Sequence, residues 1–210
     1  MKNIILWIGI VAYTVYYSLK FILSKDMNIP TLWGRKILHI CNVHIETSGI
    51  LPKPPFIIVA NHESYFDIFS ILSLANLRLI WFAKKELFKV PIFGRAIKAY
   101  GAIPVDRNDP KKASFSVIKA LKRKKDDAVL VIFPQGTRKN LDNFKKGGFL
   151  LAKKLNMPIL PMKIENSGKI MSADSFKINS GVIKVHFFKK IDPSDYSLDE
   201  LSDIVKGKII

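Results

Sequence analysis

Residues 56–67 read Phe-Ile-Ile-Val-Ala-Asn-His-Glu-Ser-Tyr-Phe-Asp, and this stretch decides the fold prediction. Its first five residues are apolar without interruption, which is typical of a strand buried on both faces of a parallel sheet. Polar residues then follow at once, before a helical pattern begins at residue 64. Ligand sites in open α/β sheets lie at the carboxyl ends of strands, so His62 and Asp67 stand where a functional site is expected.

Four further short apolar or β-branched runs resemble this strand, at 77–83, 128–133, 158–164 and 182–188. Helical patterns separate them, at 64–75, 86–99, 111–124 and 144–156. Strands that alternate with helices in this way predict an α/β fold, with a largely parallel central sheet covered by helices.

The N-terminal residues before these strands have a different hydrophobic pattern. Residues 3–19 carry no charge, and as a helix they would be about 25 Å long, slightly short of a hydrocarbon core of roughly 30 Å. A second, amphipathic pattern then follows, formed by Trp33, Ile37, Ile40, Cys41 and His44. We therefore predict a membrane-associated helix pair over residues 1–46 and a separate α/β domain over 47–210. Either a hairpin in one leaflet or a single span fits the pattern, and the basic residues that follow favour the cytoplasmic face.

Charge indicates the class of partner. The 210 residues include 34 Lys and Arg against 17 Asp and Glu, a net charge of +17, while 49% of the residues are hydrophobic. That much apolar composition excludes a disordered basic tail. A polyanionic partner is expected: nucleic acid, an anionic membrane surface or a phosphorylated substrate. The only cysteine, Cys41, excludes an internal disulfide.

The pair His62 and Asp67 has two interpretations. If His62 lies in the turn and Asp67 in the first turn of the helix, the carboxylate can hold the imidazole as a general base. The same segment, Ser64 to Asp67, is also a capping-box pattern, which needs no catalysis. The spacing of these residues leaves both interpretations open.

A second polar segment follows the run at 128–133. It reads Phe-Pro-Gln-Gly-Thr-Arg over residues 133–138. A glycine in a turn with backbone amides, a hydroxyl and a guanidinium could hold a phosphate or an oxyanion. A plain β-turn is the alternative. Between these segments, residues 84–125 contain 13 basic and 3 acidic residues, a net +10, and Lys84 and Arg107 there follow strand-like runs.

Taken together, these blocks resemble the glycerolipid acyltransferase family, and specifically its 1-acyl-sn-glycerol-3-phosphate acyltransferases. The similarity lies in four blocks in order: 61–67, 84–107, 133–138 and the proline-containing strand at 158–161. It implies the acyltransferase fold with N-terminal membrane-associated helices. It also implies that His62 is the general base and Asp67 its partner.

The resemblance further implies that one set of residues binds the acceptor: Lys84, Arg107, Gln135, Gly136, Thr137 and Arg138. Gln135 departs from the family, which usually has glutamate there, and Lys139 stands where a serine is common. The implied reaction moves an acyl group from acyl carrier protein or coenzyme A to the sn-2 hydroxyl of lysophosphatidic acid, giving phosphatidic acid.

Alternatives remain within and outside this class. The same chemistry could act on glycerol 3-phosphate or another lyso-lipid, and a non-catalytic basic protein on a membrane would bind lipid or nucleic acid. On the resemblance, nucleic acid is not an expected partner. Neither a cofactor nor a metal is expected, including at His39, Cys41 and His44, which have mixed orientations on one helical pattern.

Overall fold

The computed structural model describes residues 2–74, 77–105, 127, 129–138 and 144–210. Arg107 and the predicted helix at 111–124 lie outside these residues. The helices are α1 (Lys2–Ser24), α2 (Ile29–Ile40), α3 (Phe66–Leu74), α4 (Phe93–Tyr100), α5 (Gly147–Leu155), α6 (Ser167–Ile170) and α7 (Leu198–Ile209). The strands are β1 (Val43–Ser48), β2 (Phe56–Ala60), β3 (Leu79–Lys84), β4 (Ile103–Val105), β5 (Val129–Ile132), β6 (Ile159–Glu165) and β7 (Gly181–Phe187).

The strands form one sheet in the order β1-β7-β6-β2-β5-β3-β4. Strands β6, β2, β5, β3 and β4 run in one direction, and β7 is antiparallel to β6 with β1 parallel to β7. The predicted largely parallel α/β sheet is therefore confirmed. Because β2, β5 and β3 are neighbours with the same direction, their carboxyl ends meet at one edge of the sheet.

Strand β2 shows why its sequence is uniformly apolar. Phe56, Ile58 and Ala60 point into the core beneath α1, α2 and α3, whereas Ile57 and Val59 point into the core beneath α5 and α7. All five side chains are buried. A strand with helices on both faces has no solvent-facing position, so its apolar run is continuous rather than alternating.

Helix α1 is long and apolar enough to cross a membrane, judged by its length and composition. It packs on α2 and α4, with Ile10 and Phe21 buried. Its other side leaves large apolar side chains exposed to solvent, namely Ile4, Ile5, Ile8, Val11, Val15, Tyr16, Leu19 and Leu23. An apolar surface of this kind marks a site of contact with a membrane or a partner.

The second N-terminal helix is shorter than the pattern predicted. It ends at Ile40, and His44 lies in β1 rather than on the helix. The backbone turns at Asn42, where φ is +52°, a left-handed conformation that asparagine tolerates better than most residues. Strand β1 then pairs with β7. The predicted division between residues 46 and 47 falls inside β1, and that division stays a prediction.

The predicted helix at 86–99 is interrupted. A 3-10 helix spans Lys85–Lys89, and α4 begins only at Phe93. Pro91 lies in the gap, where it disfavours helical geometry at the preceding Val90. Strand β1 and the C-terminal helix α7 were not among the elements predicted from the sequence, whereas β4 corresponds to the strand-like run before Arg107.

The Cys41 thiol is expected to resist alkylation in the folded chain. Cys41 is 3% exposed, and this burial raises the pKa of its thiol to about 11. Because the raised pKa favours the neutral thiol, about one thiol in a thousand is ionised at pH 8, and only the thiolate reacts. Iodoacetamide labelling at pH 8, followed by mass spectrometry, should be slow until urea is added. Full labelling of the native chain within minutes would contradict this burial.

Candidate active site

His62 and Asp67 form a hydrogen-bonded pair at the carboxyl end of β2. His62 Nδ1 lies 2.8 Å from Asp67 Oδ2. The Asp67 side chain is fully buried, and the His62 side chain is 14% exposed. An ionised carboxylate can only accept hydrogen bonds, so Nδ1 is assigned as the donor. Nε2 is then the nitrogen with a free lone pair, which is the arrangement that a general base requires.

The same carboxylate also closes the turn that precedes α3. Asp67 Oδ2 accepts hydrogen bonds from the backbone N–H groups of Glu63 (2.8 Å) and Ser64 (2.9 Å). The Ser64 hydroxyl accepts from the N–H of Phe66 at 3.2 Å. Capping and pairing with histidine, the two interpretations that the sequence left open, are therefore both present. The capping bonds fix the oxygen that holds the imidazole.

Asn61 anchors the start of this turn to the neighbouring strand. Its Oδ1 accepts from the N–H of Ile164 at 2.7 Å, and its Nδ2 donates to the carbonyl of Ile164 at 2.8 Å. The buried side chain thus pairs with β6 as a further strand residue would. Sequence reasoning gave Asn61 no role, although its place between an apolar run and His62 was a usable signal.

Phe133 covers one face of the imidazole. The rings of His62 and Phe133 are stacked, with centres 4.0 Å apart and planes 13° from parallel. The ring of Trp81, in β3, also contacts Phe133, with the two ring centres 6.3 Å apart. Phe133 directly follows β5, which is the neighbour of β2. Phe133 belongs to the predicted 133–138 segment, but the sequence did not predict that its ring stacks on that of His62.

The 133–138 segment contains a β-turn. The N–H of Gly136 donates to the carbonyl of Phe133 at 3.0 Å, and Gly136 has a φ of +65°. The amide that was expected to face a ligand at Gly136 is therefore used within the turn. The side chain of Lys145, to which the sequence gave no role, lies beside Gly136. Lys145 Nζ would be 3.3 Å from the Cβ atom of a larger residue at position 136.

Gln135 is placed differently from its predicted substrate-binding role. Its side chain is 0% exposed, and neither amide atom has a hydrogen-bond partner among the residues that the structure describes. Pro134 and Gln135 are the central residues of the turn and are buried, while Gly136 and the next two residues are half-buried. Gln135 is thus buried among the described residues, and its role in binding the acceptor stays a prediction.

The cationic residues lie at the same edge of the sheet as His62. Lys84 is the exposed last residue of β3. Arg138 is half-buried, and its guanidinium carbon is 3.4 Å from the centre of the Tyr65 ring. Thr137 lies beside Arg138, and Arg107 falls outside the described residues. This edge therefore combines a histidine held by a carboxylate with positive charge that could hold an anionic substrate.

Comparisons with known proteins show the family to which the chain is similar. The family model described as Acyltransferase matches residues 42–165. A chloroplastic 1-acyl-sn-glycerol-3-phosphate acyltransferase of Arabidopsis thaliana is 32% identical over 188 residues, which are 86% of this chain and 52% of that protein. The 1-acyl-sn-glycerol-3-phosphate acyltransferase of Helicobacter pylori is 33% identical over 172 residues, 78% of this chain and 72% of that protein.

The fold has a solved counterpart. The crystal structure of the 1-acyl-sn-glycerophosphate acyltransferase PlsC from Thermotoga maritima superposes with a TM-score of 0.84 at 23% identity, covering 99% of this chain and 91% of that one. The chain spans about half the length of the plant relatives, 52% and 45% for those of Arabidopsis thaliana and Brassica napus. The family model covers more than half of this chain, and the Helicobacter pylori relative is matched over most of its length, so the chain belongs to the acyltransferase family.

Proposed function

We propose that this chain is a 1-acylglycerol-3-phosphate O-acyltransferase that converts lysophosphatidic acid to phosphatidic acid. The observation that carries the proposal is the bond between His62 Nδ1 and the buried carboxylate of Asp67. The cations Lys84 and Arg138 lie at the same edge of the sheet. The names of the relatives support the choice of acceptor, because they describe acyltransferases that act on 1-acyl-sn-glycerol 3-phosphate.

In the proposed reaction His62 Nε2 takes the proton of the sn-2 hydroxyl as its oxygen attacks the thioester carbonyl. The new C–O bond gives a tetrahedral intermediate, which collapses as the C–S bond breaks. The departing thiolate then takes the proton from His62. Throughout these steps Asp67 accepts the hydrogen bond from the Nδ1–H of His62. Its negative charge stabilises the imidazolium that forms between the two proton transfers. This sequence of steps requires neither a metal nor a bound cofactor.

The cations contribute by orienting the acceptor. A guanidinium and an ammonium at the edge of the sheet would hold the phosphate and so place the hydroxyl near His62. Holding two reactants in a productive geometry can lower a barrier by several kcal/mol, which is more than a single general base supplies. Lys84, Arg107, Thr137 and Arg138 remain our proposed phosphate contacts.

An acyl-transfer assay tests the proposal directly. The purified chain in mixed micelles is given a labelled acyl thioester, on coenzyme A in one arm and on acyl carrier protein in the other. Lysophosphatidic acid should be acylated, whereas monoacylglycerol, the same lipid without its phosphate, should react far more slowly. Glycerol 3-phosphate and other lyso-lipids complete the panel. Equal rates with and without the phosphate would contradict the proposed acceptor, and no transfer to any acceptor would contradict the activity.

We also propose that α1 lies in the plane of the membrane at the cytoplasmic face rather than crossing it. Contacts along its whole length support this. Asn3 Oδ1 accepts from the N–H of Ile178 at 2.9 Å, Thr14 Oγ accepts from Trp33 Nε1 at 3.2 Å, and the Phe21 ring packs on Tyr100 with centres 5.6 Å apart. A spanning helix would be surrounded by lipid, but one side of α1 is covered by the domain.

Charge on the open side of α1 should therefore weaken membrane attachment. Ile8 and Val11 are 64% and 59% exposed, so Ile8→Asp with Val11→Asp should leave the fold intact and reduce co-sedimentation with anionic vesicles by roughly tenfold or more, since each buried apolar side chain contributes about 1.5–3 kcal/mol. Leu150→Asp, on the opposite side of the sheet, is the matched control and should change nothing. Unaltered sedimentation of the double variant would contradict the in-plane placement.

A further inference from the structure

Tyr65 and Arg138 form a stacked pair that joins the two segments of the candidate site. The guanidinium carbon lies 3.4 Å from the centre of the phenol ring, which is close enough for both cation–π attraction and planar stacking. Tyr65 belongs to the turn that holds His62, and Arg138 ends the segment that follows β5. The stack therefore fixes the position of a cation relative to that of the base.

The backbone at Tyr65 is well fixed because the residues on either side of it are buried and the preceding one is hydrogen-bonded. The Ser64 N–H donates to Asp67 Oδ2 at 2.9 Å, and the Ser64 hydroxyl donates to the carbonyl of Met171 at 2.7 Å. Ser64 and Phe66, on either side of Tyr65, are both 1% exposed. Tyr65 itself is 43% exposed. It thus stands at the surface on a backbone that is tied to the carboxylate of the pair.

None of the described residues uses the hydrogen-bonding edge of the Arg138 guanidinium. Within the described ranges, no carboxylate lies within ion-pair distance of Arg138 and no group accepts a hydrogen bond from it. Stacking occupies a face of the guanidinium, whereas its N–H donors lie in the plane. A guanidinium whose face is stacked on a ring can therefore still donate two parallel N–H hydrogen bonds to the oxygens of a phosphate.

We propose that Tyr65 is a positioning residue for the acceptor's phosphate and acts through Arg138. The inference rests on the proposed function, and it adds a residue to which the sequence gave no role. Without the ring, the guanidinium would have to be ordered from many rotamers when substrate binds, which lowers affinity. The ring takes no part in proton transfer, so its loss should change binding of the acceptor and leave the chemical step in place.

A series of substitutions at Tyr65 tests this role. Tyr65→Leu removes the aromatic face at an exposed position and should raise the KM for lysophosphatidic acid about three- to tenfold, which lies within the range that cation–π pairs give. The kcat should stay within about twofold. Tyr65→Phe and Tyr65→Trp keep the face and should restore the KM. An unchanged KM in Tyr65→Leu would overturn the proposal, as would a Phe variant as impaired as the Leu variant, because the hydroxyl would then carry the effect.

A double-mutant cycle tests whether Tyr65 acts through Arg138. Arg138→Lys keeps the charge and loses the planar group that stacks. In that background Tyr65→Leu should raise the KM by less than about twofold, since the stack is already lost. An equal rise in both backgrounds would mean that Tyr65 acts independently, and would overturn the inference.

Equilibrium binding of lysophosphatidic acid, measured by calorimetry in mixed micelles without acyl donor, separates this inference from the proposed function. The unsubstituted chain could transfer no acyl group and still bind lysophosphatidic acid, with weaker binding in Tyr65→Leu and normal binding in Tyr65→Phe. In that case the proposed activity fails and the role of Tyr65 stands. Binding that is indifferent to Tyr65, or absent from the unsubstituted chain, would overturn the role of Tyr65.

Discussion

Replacement of His62 by alanine is expected to lower the rate of acyl transfer by about 10²–10⁴, the range that a general base contributes. Nε2 of His62 is the one atom of the pair that can take a proton from a bound hydroxyl, because Nδ1 is held by Asp67. The measurement is kcat/KM with labelled acyl donor at saturating and limiting lysophosphatidic acid. Because the base acts in the chemical step, most of the loss should appear in kcat.

The fold should survive this substitution. Asp67 Oδ2 would keep its hydrogen bonds from the N–H groups of Glu63 and Ser64, so the buried carboxylate is not left without donors. Circular dichroism and the urea midpoint check the fold. His186→Ala is the matched control, since His186 is an exposed histidine on β7 whose ring bonds to Ser48. Turnover in folded His62→Ala equal to that of the control would sink the proposed mechanism.

Asp67→Asn is expected to have the second largest effect, a loss of about 10² in kcat. The asparagine oxygen can take the place of Oδ2 and accept the same three donors, so the imidazole stays in position. The negative charge that stabilises the imidazolium is lost, however. The amide nitrogen would then occupy the place of Oδ1, which has no hydrogen-bond partner among the described residues. An unsatisfied buried donor there costs about 1–3 kcal/mol of unfolding free energy.

The matched control for Asp67 is another capping aspartate. Asp192 accepts hydrogen bonds from the N–H and hydroxyl of Ser194 at a 3-10 helix, and its hydrogen bond to the Ser194 backbone lowers its pKa. Asparagine is an equally good cap, so Asp192→Asn should leave both rate and stability almost unchanged. Full activity in Asp67→Asn would show that the carboxylate only caps the turn and has no part in catalysis.

The pairing of His62 with Asp67 could be predicted from the sequence because it is local. His62 and Asp67 are five residues apart across one turn, and the backbone N–H groups that hold Asp67 belong to the same turn. Their geometry depends on the strand that ends at Ala60, which the apolar pattern predicted. It also depends on a helix that begins at Phe66, two residues after the predicted start at residue 64. The sequence left open only whether Asp67 caps the helix or pairs with His62. Asp67 Oδ2 does both, because it accepts hydrogen bonds from the backbone and from the imidazole.

The surroundings of the pair could not be predicted, because they depend on strand order. Phe133 stacks on His62 and Arg138 on Tyr65 across separations of about 70 residues. These contacts exist because β5 lies beside β2, and the sequence does not state which strands are neighbours. Gln135 shows the same limit: the resemblance implied that it binds the acceptor, and only the tertiary structure shows that its side chain is buried.

The sequence by itself determined the layered α/β architecture, the apolar N-terminal helix and the position of the His62–Asp67 pair, since burial periodicity and turn chemistry act over a few residues. Only the tertiary structure decided which aromatic ring covers His62, which ring supports Arg138, and that α1 contacts the domain along its length. The physical reason is that side chains far apart in the chain meet only when strand order and helix packing are settled together by the whole core.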